Sequence, residues 1–537
     1  MSAIGIDIGS SNVKAVLVDP GGRLVASAAR ALSWGRRASE GGQVAELDAD
    51  ALWDAVMEVL VDLGTGDGAA TLGEVHTIGV CGQYSSIVPV DADGRPVAPM
   101  RLYLDTRGTR HCQAILERYP DAFMAWIERH PVPPVGGGLA LGHLLAIQHD
   151  HPAIHEATVA YLEPVDYVTT RLTGRATATQ GSVFAGQLVD NRTLGVTAYD
   201  DELMALAGVD PARLPALVAA DATVGEVRTE VARTVGLPHG VAVAAGMTDS
   251  HAAALATGAD RPGRVGIAVG TTGVVLDTTD SMGVDLDHEV LAMPGVRAGE
   301  YLVWAENGLA GRAVEHVLDR LVHADDPLGS HATSDPFAGF EGALAASVPG
   351  AGGVRFLPWL SGSMAPQADG AMRGGFVGVS LDTERVDLVR ATAEGVAHNL
   401  RWVLGPVEAL SGTPATEVVL TGGAPRSPGW AQVLADVLDR PVRTLADPQL
   451  AGALAVATWA RAVVAGESGG VDKGGTRAEG AERVDTGEIG ERPGLGTRWA
   501  DRYEPDPAAT AIHDRAHEQF VATFEALRPL RLGQASP

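Results

Sequence analysis

Ile8-Gly9-Ser10-Ser11-Asn12-Val13, near the start of the chain, and Val269-Gly270-Thr271-Thr272-Gly273-Val274, near its middle, are close copies of one another. Each joins two apolar stretches through a turn of glycine and polar residues. In the first copy, residues 3–7 and 13–18 read as strands, and 23–27 follow as a third after Pro20-Gly21-Gly22. In the second copy the strands are 265–269 and 274–277. Recurrence at about half the 537-residue length predicts two similar domains and excludes a solenoid. One position separates the copies: Asp7 precedes the first turn and Ala268 the second. The two halves are expected to share a scaffold but not a role.

Outward from these hairpins, the first half continues with a helical pattern over 49–63 and strands at 75–80 and 87–90. Alternating strands and helices give an α/β class. In the second half Val386, Val389, Ala393, Val396, Ala397, Leu400, Val403 and Leu404 keep a helical period. A strand at 417–420 runs into Thr421-Gly422-Gly423-Ala424, a helix follows through Asp436, and 508–527 forms a closing helix. Residues 466–496 are rich in glycine and charge and read as a disordered insertion. The predicted domains are 1–252 and 253–537.

Composition narrows the function. Hydrophobic residues make up 46% and charged residues 20%, enough for a large core. A formal net charge of −27 repels nucleic acid and anionic membrane. No apolar run is long enough to cross a bilayer, and the N-terminus lacks the pattern of a signal peptide. Two cysteines, Cys81 and Cys112, exclude a disulfide scaffold and fit a reducing cytoplasm. The expected partner is a small molecule, with neither nucleic acid nor membrane.

The glycine-hydroxyl turns aim several backbone N–H groups at one point, a nest that binds phosphate without net positive charge. Two such hairpins and a third glycine turn at Gly422-Gly423 point to phosphate chemistry. No Walker A sequence is present. Asp7, at a strand end, is suited to a magnesium ion. Asp249 stands in Gly246-Met247-Thr248-Asp249-Ser250-His251, after an apolar strand at 241–245 and before an alanine-rich helix. It reads either as a helix N-cap or as a catalytic base, and its place between the phosphate hairpins favours the base. His149, His151 and His155 lack a supporting cysteine or carboxylate pattern, so a solvated helix end is preferred to a metal site. Val135-Gly136-Gly137-Gly138-Leu139 reads as a hinge or a substrate loop. Arg107 and Arg110 beside Asp105 read as a surface ion-pair group.

Taken together, the motifs resemble the FGGY family of carbohydrate kinases, and within it the xylulose kinases. The resemblance rests on Asp7–Lys14, on Gly82-Gln83, and on Asp105-Thr106-Arg107. It continues through Asp166-Tyr167-Val168 with Arg171-Leu172-Thr173-Gly174, through Gly246–Ser250 and through Gly270–Val274. Leu357-Pro358-Trp359-Leu360-Ser361-Gly362-Ser363, Arg373–Gly378, the Arg390–Arg401 helix and Gly422-Gly423-Ala424 complete it. The resemblance implies two ribonuclease H-like domains of the actin and sugar-kinase type around a cleft, and ATP-dependent phosphorylation of a sugar hydroxyl. It implies Asp249 as general base, with Asp7 and Asp249 facing a magnesium ion. Asp7, Gly9, Ser10, Ser11, Lys14, Gly270, Thr271 and Thr272 are implied to bind phosphates. Gly311, Gly422, Gly423 and Ser427 are implied around the nucleotide. Gln83, Tyr84, Ser85, Tyr103, Asp105 and Asp249 are implied around the sugar, and a homodimer is an option. Three departures bear on the sugar. Tyr84-Ser85 replaces the Met-His usual in xylulose kinases, Tyr103 stands where Trp is frequent, and Gln180 replaces an Asp usual near Ser182. A ketose such as xylulose is the expected acceptor; the alternatives are another pentulose, a linear polyol, or a weakly catalytic sugar-binding member. Retention of both Asp7 and Asp249 argues against the last.

Overall fold

The computed structural model describes the chain except residues 40, 67, 328, 332, 336, 467–493, 531 and 533–537. Most of the insertion expected at 466–496 therefore lies outside the described residues. Its C-terminal edge departs from the expectation. Leu495 N donates to Leu255 O at 2.6 Å, and Gly494 lies so close to Ala256 that an added Cβ would meet its carbonyl oxygen at 2.1 Å.

The repeat is realised as two sheets with one strand plan. In the first, Leu24–Ala31, Asn12–Val18 and Ser2–Ile8 form an antiparallel meander, and Val75–Gly82 and then Ala242–Ala244 add in parallel. Thr223–Glu226 closes the edge antiparallel. In the second, Tyr301–Leu309, Thr272–Thr279 and Arg264–Val269 form the meander, and Glu417–Gly422 and Val442–Leu445 add in parallel. Trp499–Tyr503 closes that edge antiparallel. Val290–Pro294 and Val284–Asp285 extend the other side. The central strand Ser2–Ile8 is covered on both faces, which is why it reads as an unbroken apolar run: Ala3, Ile4, Ile6 and Ile8 are fully buried.

The two hairpins are less alike than their sequences. The first ends its pairing at Ile8 and Val13, with Gly9 N donating to Asn12 O at 2.9 Å. The second ends at Val269 and Gly273, with Gly270 N donating to Thr272 O at 3.0 Å. The second turn is thus one residue tighter, and an irregularity between Thr272 and Val274 absorbs the difference on the far side of that strand.

Helices cover the sheets. Ala49–Leu63, capped by the Asp48 side chain on Asp50 N, buries Leu52, Val56, Val59 and Leu63 in the first core. The periodic run at 386–404 sits inside a longer helix, Arg385–Ser411, which opens on a capping box between Glu384 and Asp387 and packs under the second sheet. Ala451–Ala465 is different. A division of the chain at 252 assigns it to the second domain, yet its Ala453, Leu454 and Ala457 pack against Ala3, Val16 and Val18 of the first sheet. Two glycines permit the approach: a Cβ at Gly5 would meet Ala453 O at 1.9 Å, and one at Gly79 would meet Val456 O at 2.3 Å. Among the described residues no helix is long and apolar enough to cross a membrane.

Because the obstructing atoms are backbone, they cannot turn aside. Gly5→Ala should lose roughly 1–3 kcal/mol or more by urea denaturation, whereas Gly136→Ala, with nothing within 4 Å, should stay close to wild type. Equal midpoints for the two variants would show that the helix does not depend on the glycine contact.

Candidate active site

Asp7 lies one residue before the end of the central strand, paired across to Lys14 and alongside to Cys81. Burial pushes its carboxyl up; the Lys14 charge and a hydrogen bond from Cys81 oppose the shift. The Ala451–Ala465 helix begins beside it, since a Cβ at Gly452 would stand 3.5 Å from Asp7 Oδ2. Lys14 Nζ donates to Gln449 O at 3.0 Å, so the lysine expected at phosphate is tied to the loop ahead of that helix.

Asp249 is the first residue of the helix Asp249–Thr257. The cap is Thr248, whose side chain accepts from His251 N. The N-cap alternative for Asp249 is thereby corrected: its Oδ1 accepts from Ser250 N at 2.7 Å, and the side chain opens into the cleft. Its pKa is pushed up to about 7, first by the desolvating walls of the cleft, then by the negative charge of Asp7 and, less, of Glu306; bonds from Ser250 oppose this.

The strand Val75–Gly82 delivers Gln83, Tyr84 and Ser85 to the same place. Gln83 is 5% exposed, and neither Oε1 nor Nε2 has a partner among the described residues. A buried amide with both ends free is a group awaiting a polar ligand or water. The Tyr84 hydroxyl bonds to Ser250, and burial raises its pKa. Ser85 takes a left-handed backbone at φ 59°, a conformation that needs outside support. Support comes from His143 Nε2, which donates to Ser85 O at 3.1 Å, and from the buried Glu163, which accepts from Ser86 N at 3.1 Å and from Ser85 N. Tyr103 is 41% exposed and its hydroxyl bonds to Ser10 of the first phosphate turn. The triple glycine packs beneath it, with a Cβ at Gly138 meeting Tyr103 O at 2.6 Å.

One expectation is corrected. Asp105, expected at the sugar, is fully buried, and its oxygens accept from Arg107 Nε at 3.0 Å, Arg107 Nη2 at 2.6 Å and Ala45 N at 3.1 Å. Arg107 also bonds Glu46. Asp105 and Arg107 therefore form an interior strut that leaves little capacity for a ligand, whereas Arg110 makes a surface ion pair as expected, with Asp150. Ser427, expected at the nucleotide, caps the helix Pro428–Leu438 by accepting from Trp430 N, and its hydroxyl donates to Glu341.

The remaining nucleotide-side residues gather at one edge. Gly311 N donates to Gly270 O at 2.9 Å and Ala310 N to Thr271 O at 3.1 Å, locking the start of the helix Gly311–Val317 to the second hairpin. Gly423 N donates to Val269 O at 2.7 Å, and Gly422 has φ 86°, with room there for no side chain. Gly270, Thr271 and Ser11 stay exposed; Gly9, Ser10 and Thr272 are partly so. Of the histidines, His149 stacks on His111 at 5.0 Å and His155 bonds the Tyr161 hydroxyl. Among the described residues no group of three or more His, Cys, Asp or Glu is placed to hold a metal.

Sequence reading missed Glu306. It lies on Tyr301–Leu309, and its carboxylate takes a hydrogen bond from the Thr272 side chain. Its charge reaches Asp249, Tyr84 and Tyr103, all contributed by the other half. The available signal was a lone acid following the apolar run Leu302–Ala305.

Two α/β halves of one strand plan, each with a glycine-hydroxyl turn, and carboxylates from both halves that act on one another define a phosphotransferase of the carbohydrate-kinase class. Comparison with known proteins agrees. Residues 2–256 match the N-terminal domain model of the FGGY family of carbohydrate kinases, and residues 266–461 match its C-terminal domain model. A xylulose kinase of Streptomyces coelicolor is 29% identical over 467 residues, 86% of this chain and 88% of that one. A glycerol kinase of Gloeobacter violaceus is 28% identical over 83% of this chain and 84% of its own. The crystal structure of xylulose kinase from Rhodospirillum rubrum superposes with a TM-score of 0.80 at 26% identity, covering 99% of this chain and 100% of that one. The chain belongs to the FGGY family of carbohydrate kinases, enzymes that phosphorylate a sugar hydroxyl with ATP.

If Asp7 helps to hold the Asp249 pKa up, Asp7→Asn should lower the Asp249 midpoint. Carboxyl-carbon NMR of the aspartate-labelled protein reads this directly. An unmoved midpoint would leave desolvation and the Glu306 charge as the causes.

Proposed function

We propose that the acceptor is a small uncharged ketose, with xylulose the first candidate, and that Asp249 is the general base for its phosphorylation. The observation that carries this reading is the position of Asp249. It opens into the cleft between the phosphate hairpins and the Gln83-Tyr84-Ser85 turn, with a pKa of about 7. A base with a pKa near the working pH takes a hydroxyl proton most effectively. As Asp249 removes that proton, the acceptor oxygen bonds to the terminal phosphorus of ATP, and the bond from that phosphorus to the ADP oxygen breaks.

Gly9, Ser10, Ser11, Gly270, Thr271 and Thr272 supply backbone and hydroxyl donors for the phosphates, and Gly311, Gly422 and Gly423 form the adjoining nucleotide edge. Gln83, Tyr84, Ser85 and Tyr103 line the sugar side. The negative charge of Asp7 raises the Asp249 pKa, a pairing of carboxylates that a cation would relieve, so these two would hold a magnesium ion. Such an ion neutralises phosphate charge. The chain division at 252 separates a sugar-side half from a nucleotide-side half. The two free, buried thiols support residence in a reducing cytoplasm. Tyr84-Ser85 gives a second reading, a linear polyol, because two hydroxyls can pair with an extended acceptor as well as with a ketose.

The test is ADP release with magnesium-ATP over a panel of ketoses, aldoses and linear polyols. Xylulose should give the highest kcat/KM. A polyol outrunning every ketose would favour the second reading, and release independent of sugar would defeat both.

Two further outcomes follow from Asp249. Its base form is lost as pH falls, so kcat/KM should drop about tenfold per unit below an apparent pKa near 7. Asp249→Asn should lose roughly 10²–10⁴-fold in kcat. The folded pKa is raised, so the ionised group opposes folding at pH above 7, and the Asn variant should melt no lower than wild type at pH 8. Turnover near wild type in the Asn variant would remove Asp249 from the role of base.

A further inference from the structure

Along the strand Tyr301–Leu309, side chains alternate between faces. Val303 and Ala305 enter the core of the second half. Leu302 and Trp304 point the other way, into a cluster that includes Val274 and, from the first half, Tyr84. Glu306 is next on that second face, paired across the ladder with Val274. It is half-buried, and among the described residues no lysine, arginine or histidine forms an ion pair with it or with Asp249. Its one side-chain bond comes from Thr272, which leaves carboxylate lone pairs unused.

We propose that Glu306, reaching across the cleft toward Tyr84, is a specificity-determining residue that accepts a hydrogen bond from an acceptor hydroxyl and bars acceptors that carry a carboxylate. This inference rests on the kinase reading above and deepens it. Asp249 and Glu306 both act on Tyr84 and Tyr103, and among the described residues neither carboxylate has a basic side chain paired with it. A hydroxyl of a neutral sugar donates to such a carboxylate, and charge-assisted bonds are the stronger kind. An aldonate brought to the same place would set its anion against the Glu306 carboxylate, with no basic side chain among the described residues paired to that group. A raised carboxylate pKa at Glu306, caused by burial, fits a group short of donors until a ligand supplies one.

The experiment compares wild type, Glu306→Gln and Thr272→Val by calorimetric binding of xylulose and of the aldonate xylonate without nucleotide, alongside steady-state kinetics with magnesium-ATP. Glu306→Gln should weaken xylulose binding about 10–100-fold and narrow the preference for xylulose over xylonate, with the KM for ATP nearly unchanged. Thr272→Val tests the rival role. If Glu306 acts by positioning the phosphate hairpin, both variants will raise the KM for ATP and leave sugar binding alone, and the proposal falls. Unchanged xylulose affinity in Glu306→Gln also overturns it. A wild type that turns over no neutral sugar defeats the function proposed above and this inference with it. A wild type that turns over xylulose beside an unaltered Glu306→Gln defeats this inference alone.

Discussion

The close approach of the Ala451–Ala465 helix to the first sheet is the constraint on which the cleft depends. Gly5 and Gly79 leave no side chain between helix and sheet, so backbone atoms of Ala453 and Val456 sit where Cβ atoms would otherwise be. That depth brings Gly452 beside Asp7 and Gln449 O onto Lys14. The floor of the cleft is thus assembled from both ends of the chain. The Asp249–Thr257 helix packs against the same helix, through Ala252, Leu255 and Ala256 beside Ala455 and Trp459. Asp7 and Asp249 therefore owe their mutual placement to one shared element.

The two hairpins also differ in charge. The chain carries a net charge of −27, with carboxylates at Asp7, Asp249 and Glu306, and its two glycine-hydroxyl turns have one lysine beside them, Lys14. The lysine nearest Asp7 is already bonded to a carbonyl. A carboxylate precedes the first turn only, and the corresponding position in the second copy is Ala268.

Local signals made much of this legible. Glycine-hydroxyl turns between apolar runs announced both hairpins, and a helical period announced most of Arg385–Ser411. The candidate base was visible because Asp249 stands at a strand-to-helix junction. What stayed hidden depends on distant partners. Nothing near Asp105 says that Ala45 and Glu46 will enclose it with Arg107. Nothing near Ser427 names Glu341, and the one-residue difference between the turns appears only in strand pairing. The exposed strand Gly35–Ser39 carries no apolar alternation to reveal it. Glu306 needed the fold, because its meaning comes from the strand face that looks toward Tyr84.

The long return of the Ala451–Ala465 helix also sets a timetable for biosynthesis. Strands over residues 2–18 leave the ribosome first, but the helix that covers Ala3, Val16 and Val18 follows more than four hundred residues later. At the usual pace of about 5–20 residues per second that interval lasts tens of seconds. During it, one face of the nascent first sheet is open to chaperones or to another copy. Contacts of such sequence separation slow folding, so this kinase completes its first domain only when its second is nearly made.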